Sequence, residues 1–169
     1  MIKPVVLVPC LSGVSAAPIF TLGALSHAIN WPVLRKELDS EQFRQAINEI
    51  PGCDWIDRVE QDPMLTELFE FKEKRLMWIL MDYFTSLVEY PVPCEPKLVR
   101  SIIAEEDAYV LNHERVPGLT DIWPGASVQI VEKMGHVQGY LMNHHLFRQA
   151  IVDQLKLLSN LQSGLSTEP

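Results

Sequence analysis

An α/β fold is predicted, with about three parallel strands, flanking helices and a helical insertion. Three observations predict it. Short β-branched or apolar runs recur at residues 5–8, 98–104 and 127–131. Segments with three- and four-residue apolar spacing separate them, and strands that alternate with helices pair in parallel. Apolar residues make up 47% of the 169 and charged residues 21%, which suits a folded chain with a sizeable core.

Residues 5–8 form a compact run between Pro4 and Pro9 and read as a strand buried on both faces. The small-residue stretch 11–29 reads as a loop leading into a short helix. Ser40 can cap a helix over 41–50, which Pro51-Gly52 stops. Asp62-Pro63 opens the longest periodic segment. Leu65, Leu68, Phe69, Leu76, Ile79, Leu80, Tyr83, Phe84 and Leu87 predict one amphipathic helix ending near Tyr90. Pro91, Pro93 and Pro96 then enforce an extended connection. Residues 98–104 are the second strand, halted by Glu105-Glu106-Asp107, and Ser127 begins the third. Leu146, Phe147, Ala150, Ile151, Leu155 and Leu158 mark a last helix.

The formal net charge of −8 excludes the basic surface that nucleic acid requires. Three cysteines, Cys10, Cys53 and Cys94, fit neither a disulfide framework nor a zinc site, and favour an intracellular setting. No signal peptide is read at the N-terminus, and no uncharged run nears the ~18 residues of a membrane span. His113-Glu114 and His144-His145 lack metal-ligand spacing, so neither metal nor cofactor is expected. The run of residues 70–75 reads as a solvated helix face, and 76–81 as core or as an apolar lid.

Asp107 and His136 each stand just past the end of a predicted parallel strand. Side chains there share the edge where ligands gather. An acid so placed can accept a hydrogen bond from the imidazole Nδ1–H, which fixes the tautomer and supports proton transfer. The plain alternative is a helix cap at Asp107 and a simple turn at Gly135-His136.

Four stretches carry a resemblance: residues 9–31, 105–110 (EEDAYV), 122–136 (IWPGASVQIVEKMGH) and 140–151 (YLMNHHLFRQAI). The chain resembles the α/β-hydrolase fold family, in particular the alpha/beta hydrolase domain-containing protein 18 branch, at both ends. The middle, about 32–95, resembles it weakly or not at all. The resemblance implies the C-terminal portion of an α/β-hydrolase sheet, with Asp107 as triad acid and His136 as triad base. It divides the chain into strand and loop (1–31), a lid-like helical insertion (32–96), the last two strands with the C-terminal helix (97–162) and a frayed tail (163–169).

The implied activity is ester or lipid acyl hydrolysis by a serine nucleophile on a G-x-S-x-G elbow. That elbow would precede the segment matching residues 4–10, so the chain reads as part of a longer product, inactive alone. Met134-Gly135 departs from the family's glycine pair before its histidine. Gly13-Val14-Ser15-Ala16-Ala17 offers a degenerate elbow, and Ser15 is the one internal candidate nucleophile. An acyl-ester or lipid substrate is then the expected partner. The alternative is a non-catalytic module that self-associates or pairs through its open strand edge.

Overall fold

The computed structural model describes residues 4–165. The chain divides into two compact units, Ser15–Ser86 and the segments that flank it.

The unit Ser15–Ser86 is helical. Its elements are α1 (Ala17–Thr21), α2 (Trp31–Leu38), α3 (Glu41–Asn48), α4 (Trp55–Gln61), α5 (Pro63–Leu68) and α6 (Lys72–Thr85). Capping sets several of the starts. Ser40 Oγ accepts from the Phe43 N–H at 3.4 Å, and Asp62 Oδ1 accepts from Met64 and Leu65 at 3.0 and 3.3 Å. Leu38, Val59, Leu65, Leu76 and Ile79 are fully buried at its centre.

The single helix expected from Asp62 to Tyr90 is two helices, and the second ends at Thr85. Phe69 is extended, with φ −134° and ψ 124°, and its buried ring packs on Trp78 at 5.7 Å. Arg75 compensates the lost helical bonds. Its guanidinium donates to the carbonyls of Phe69 (2.8 Å), Glu70 (3.2 Å) and Val59 (3.2 Å). Aromatic burial thus overrides the helical period.

The run 70–75 is a solvated face only in part: Glu70, Phe71 and Lys72 are exposed, and the rest is not. Glu73 is 3% exposed and paired with Arg35, whose Nε donates to it at 2.9 Å. The acid raises the Arg35 pKa through that hydrogen bond and its charge. Leu76, Trp78 and Ile79 are buried within their own unit, as the core reading of 76–81 requires.

The flanking unit holds β1 (Arg100–Ala104), α7 (Leu119–Ile122), β2 (Ser127–Val131), α8 (His136–Met142) and α9 (His144–Leu165). The strands pair in parallel, with Ser101 opposite Val128 and Ile103 opposite Ile130. One sheet face, with Ile102 and Ala104 buried, packs on α9, where Ala150 is also buried. Arg100 Nη1 stands 3.6 Å from Asp153 of that helix.

The third expected strand, residues 5–8, is reduced to one isolated parallel bridge, Leu7 with Val99, and a second, Cys10 with Ile102, follows Pro9. Proline is the reason. Leu7 N–H donates to Leu98 at 3.0 Å, Leu7 accepts from Arg100 at 3.0 Å, Pro9 accepts from Ile102 at 3.0 Å, and Leu11 donates to Ile102 at 2.7 Å. The missing rung of this ladder is the one the Pro9 nitrogen cannot donate. The segment is also not buried on both faces: Val5 is 69% and Leu7 41% exposed.

Of the tail expected to fray, residues 163–165 belong to α9, and 166–169 lie outside the described residues. Among the described residues no helix is long and apolar enough to cross a membrane.

Candidate active site

Backbone pairing between the loops after β1 and β2 continues past the strands. Glu105 N–H donates to Val131 at 3.1 Å and Glu106 N–H to Met134 at 2.9 Å. The first loop carries Asp107 next. Its Oδ1 accepts from the backbone N–H groups of Tyr109 (2.8 Å) and Val110 (2.7 Å). Its Oδ2 lies 2.7 Å from His136 Nδ1. No helix follows Asp107, so the acid is not the helix cap of the plain alternative: one oxygen caps a turn and the other meets the imidazole.

The second loop aims the histidine. Lys133 sits at φ 53°, and its N–H donates to Glu105 Oε2 at 2.9 Å. A side-chain-bearing residue in this left-handed region is uncommon, and the contact to Glu105 offsets the strain. Gly135 is the N-cap of α8, at φ −92° and ψ 166°, so its backbone does not demand glycine. Met134 is in ordinary φ space and is buried. His136 follows as the first residue of α8.

Asp107 has 4% of its side chain exposed and His136 30%. A carboxylate only accepts, so the imidazole hydrogen shared with it resides on Nδ1. In the neutral ring Nε2 is then left as an acceptor. The Tyr109 ring lies beside the imidazole, with centroids 5.3 Å apart and planes tilted by 40°. A buried acid, an oriented imidazole and an available Nε2 are what proton abstraction from a hydroxyl requires.

Ser15 is in a different state. It is 4% exposed. Its hydroxyl donates to Asp82 Oδ1 at 2.8 Å and accepts from the Ala17 N–H at 3.2 Å. Both serve the start of α1 and its tie to α6, and no strand leads into a sharp turn there. His113 accepts from the Arg115 N–H on Nδ1 at 3.2 Å. His144 stacks edge-on with Tyr140, centroids 5.7 Å apart. Among the described residues no group of three or more His, Cys, Asp or Glu is placed to hold a metal ion. Cys10, Cys53 and Cys94 are free thiols, and burial raises the Cys10 pKa.

One feature of the same unit escaped the sequence reading. The sheet face opposite α9 floors an apolar cavity of about 750 Å³, lined by Leu7, Pro9, Ile103, Trp123, Val128 and Ile130 among others. Neither Asp107 nor His136 lines it. The signal was present in the strands: Ile103, Val128 and Ile130 fall on the alternate positions to Ile102, Ala104 and Val131, so both faces carry apolar residues.

A family model described as alpha/beta hydrolase domain containing 18 matches residues 1–157. The match runs through the middle of the chain, where a resemblance confined to the two ends was expected. No solved structure matches.

Proposed function

We infer the function from one premise: the chain belongs to the alpha/beta hydrolase domain containing 18 family. Asp107 and His136 are the acid and base of a serine-hydrolase triad that acts on acyl esters or lipids. The observation that carries this reading is the 2.7 Å contact between Asp107 Oδ2 and His136 Nδ1, with Oδ1 anchored by two backbone amides. In such a triad the imidazole takes the nucleophile's proton on Nε2 and returns it to the leaving alcohol. The carboxylate stabilises the transient imidazolium without taking the proton itself.

No G-x-S-x-G occurs in this sequence, and the Ser15 hydroxyl is already committed. The chain by itself is therefore catalytically silent, and the nucleophile that His136 serves is not among its residues. The helical insertion of the hydrolase sheet is the unit Ser15–Ser86, which starts earlier and ends earlier than the expected 32–96. Incubating the purified chain with a fluorophosphonate probe and mapping adducts by mass spectrometry tests this. No labelled serine is expected. Labelling at Ser15 overturns the assignment.

A second reading has its own observation. Leu7, Pro9 and Leu11 make the bonds to β1, so in an extended chain Val6 and Val8 turn their N–H and C=O groups to the opposite edge. Proline usually blunts an edge by facing outward. Pro9 faces inward here and leaves the outer ladder open. That arrangement suits a module that pairs with another strand. An obligate oligomer in light scattering favours the module, and a monomer favours the hydrolase portion.

A further inference from the structure

Met134 is the one residue between β2 and His136 that is fully buried, and its two halves hold different segments. Its carbonyl accepts from the Glu106 N–H at 2.9 Å, which ties it to the loop of Asp107. Its side chain packs with Leu11 and Ala104, and Sδ accepts from Asn143 Nδ2 at 3.2 Å.

Gly139 faces this side chain from α8, one turn after His136. A methyl group built on Gly139 would lie 3.1 Å from Met134 Cε, 3.2 Å from its Sδ and 3.2 Å from Leu11 Cδ2. Those separations are below ordinary van der Waals contact, and both neighbours are buried. Glycine inside a helix is unfavourable relative to alanine by about 0.5–1 kcal/mol, so local propensity gives no reason for it here. The close approach does. Gly139 N–H also donates to Gly135 at 2.9 Å, across the turn that carries His136.

We propose that Met134 and Gly139 form a positioning pair whose contact sets where the His136 ring meets Asp107. The pair rests on the reading of His136 as a base and deepens it. It touches no reacting atom. The thioether fills the gap that the missing Cβ leaves, and α8 thereby settles at one depth against Leu11. The imidazole at its first position inherits that depth. A methyl at 139 would push α8 outward and carry Nδ1 away from Oδ2. Shortening residue 134 at the same time would remove two of the three close contacts and give the neighbouring Leu11 room to withdraw from the third.

The test compares the full chain with Gly139→Ala, Met134→Ala and the double variant by nuclear magnetic resonance. Two signals are read: the low-field proton on His136 Nδ1 and the ring nitrogen shifts that report the tautomer. Gly139→Ala is expected to lose the low-field signal and mix the tautomers. The double variant is expected to recover both. A purely structural role predicts the opposite order, because alanine favours the helix and the truncated methionine adds a cavity.

If Gly139→Ala fails to fold, the double variant decides: a folded double with the signal supports the pair, and an unfolded one overturns it. An unchanged signal in Gly139→Ala overturns the pair and leaves the acid–base reading standing. A wild-type chain without the Nδ1 signal overturns both.

Discussion

Two carboxylates in this protein hold a hydrogen-bonding partner at nearly the same distance, and only one arrangement has chemistry left in it. Asp107 reaches His136 at 2.7 Å, and Asp82 reaches Ser15 at 2.8 Å. The Ser15 hydroxyl has spent its donor on Asp82 and also accepts from Ala17, within a 4% exposed residue. The imidazole has spent one ring nitrogen and keeps the other, with 30% of its side chain exposed. The difference teaches that a short bond to an acid does not mark a reactive group. What marks it is the valence and access that remain once the bond is made.

Three substitutions sharpen or break this comparison. The largest effect belongs to Asp107→Ala. It leaves two backbone N–H groups and the Nδ1–H of a part-exposed imidazole without their shared acceptor. Loss of about 3 kcal/mol is expected from urea unfolding, because bonds to an ionised acceptor are the stronger kind. A loss below about 1 kcal/mol would mean that water replaces the carboxylate freely, and the site would not be the preorganised pair described above.

Ser15→Ala comes next. It removes a buried donor to Asp82 and the acceptor for Ala17, and about 1–2 kcal/mol of stability should go with it. A stability-neutral substitution would remove the structural assignment of Ser15 and erase the contrast.

The smallest effect is at Glu60, an acid pair at the surface. Lys72 Nζ lies 2.7 Å from Oε2, and Arg44 Nη1 lies 3.5 Å from Oε1. The hydrogen bond from Lys72 holds the Glu60 carboxyl below its ordinary value, against a partial desolvation. The depressed folded value means the pair stabilises the fold above the unfolded value. That stabilisation disappears as pH falls through the folded one. Glu60→Gln should therefore cost under about 0.5 kcal/mol at neutral pH, given solvent screening, and flatten the acid limb of the stability curve. A steeper acid limb in the variant would reverse the sign and refute the assignment.

How much was legible beforehand depends on range. The cap at Ser40 was readable because the Oγ serves an amide three residues on. The strand at Ser127–Val131 was readable for a similar reason: β-branched residues crowd into one short run. The pairing of Asp107 with His136 was anticipated from strand ends and from the family resemblance. The register of β1 on β2 is what brought the two loops together. The break at Phe69 was not legible. Its cause is the burial of the Phe69 ring against Trp78, made tolerable by Arg75, which donates to the carbonyls of Phe69, Glu70 and Val59.

The sequence by itself determined the local propensities: where helices are capped, where strands can run, and which two residues stand at strand ends. Tertiary structure alone decided which of those signals prevailed. It ended a periodic helix early, buried Glu73 against Arg35 and reduced residues 5–8 to a single bridge. The physical reason is that backbone preferences are worth tenths of a kilocalorie per residue. Burying an aromatic ring or satisfying a desolvated carbonyl is worth several times more, and only the folded chain shows which groups compete for the same space.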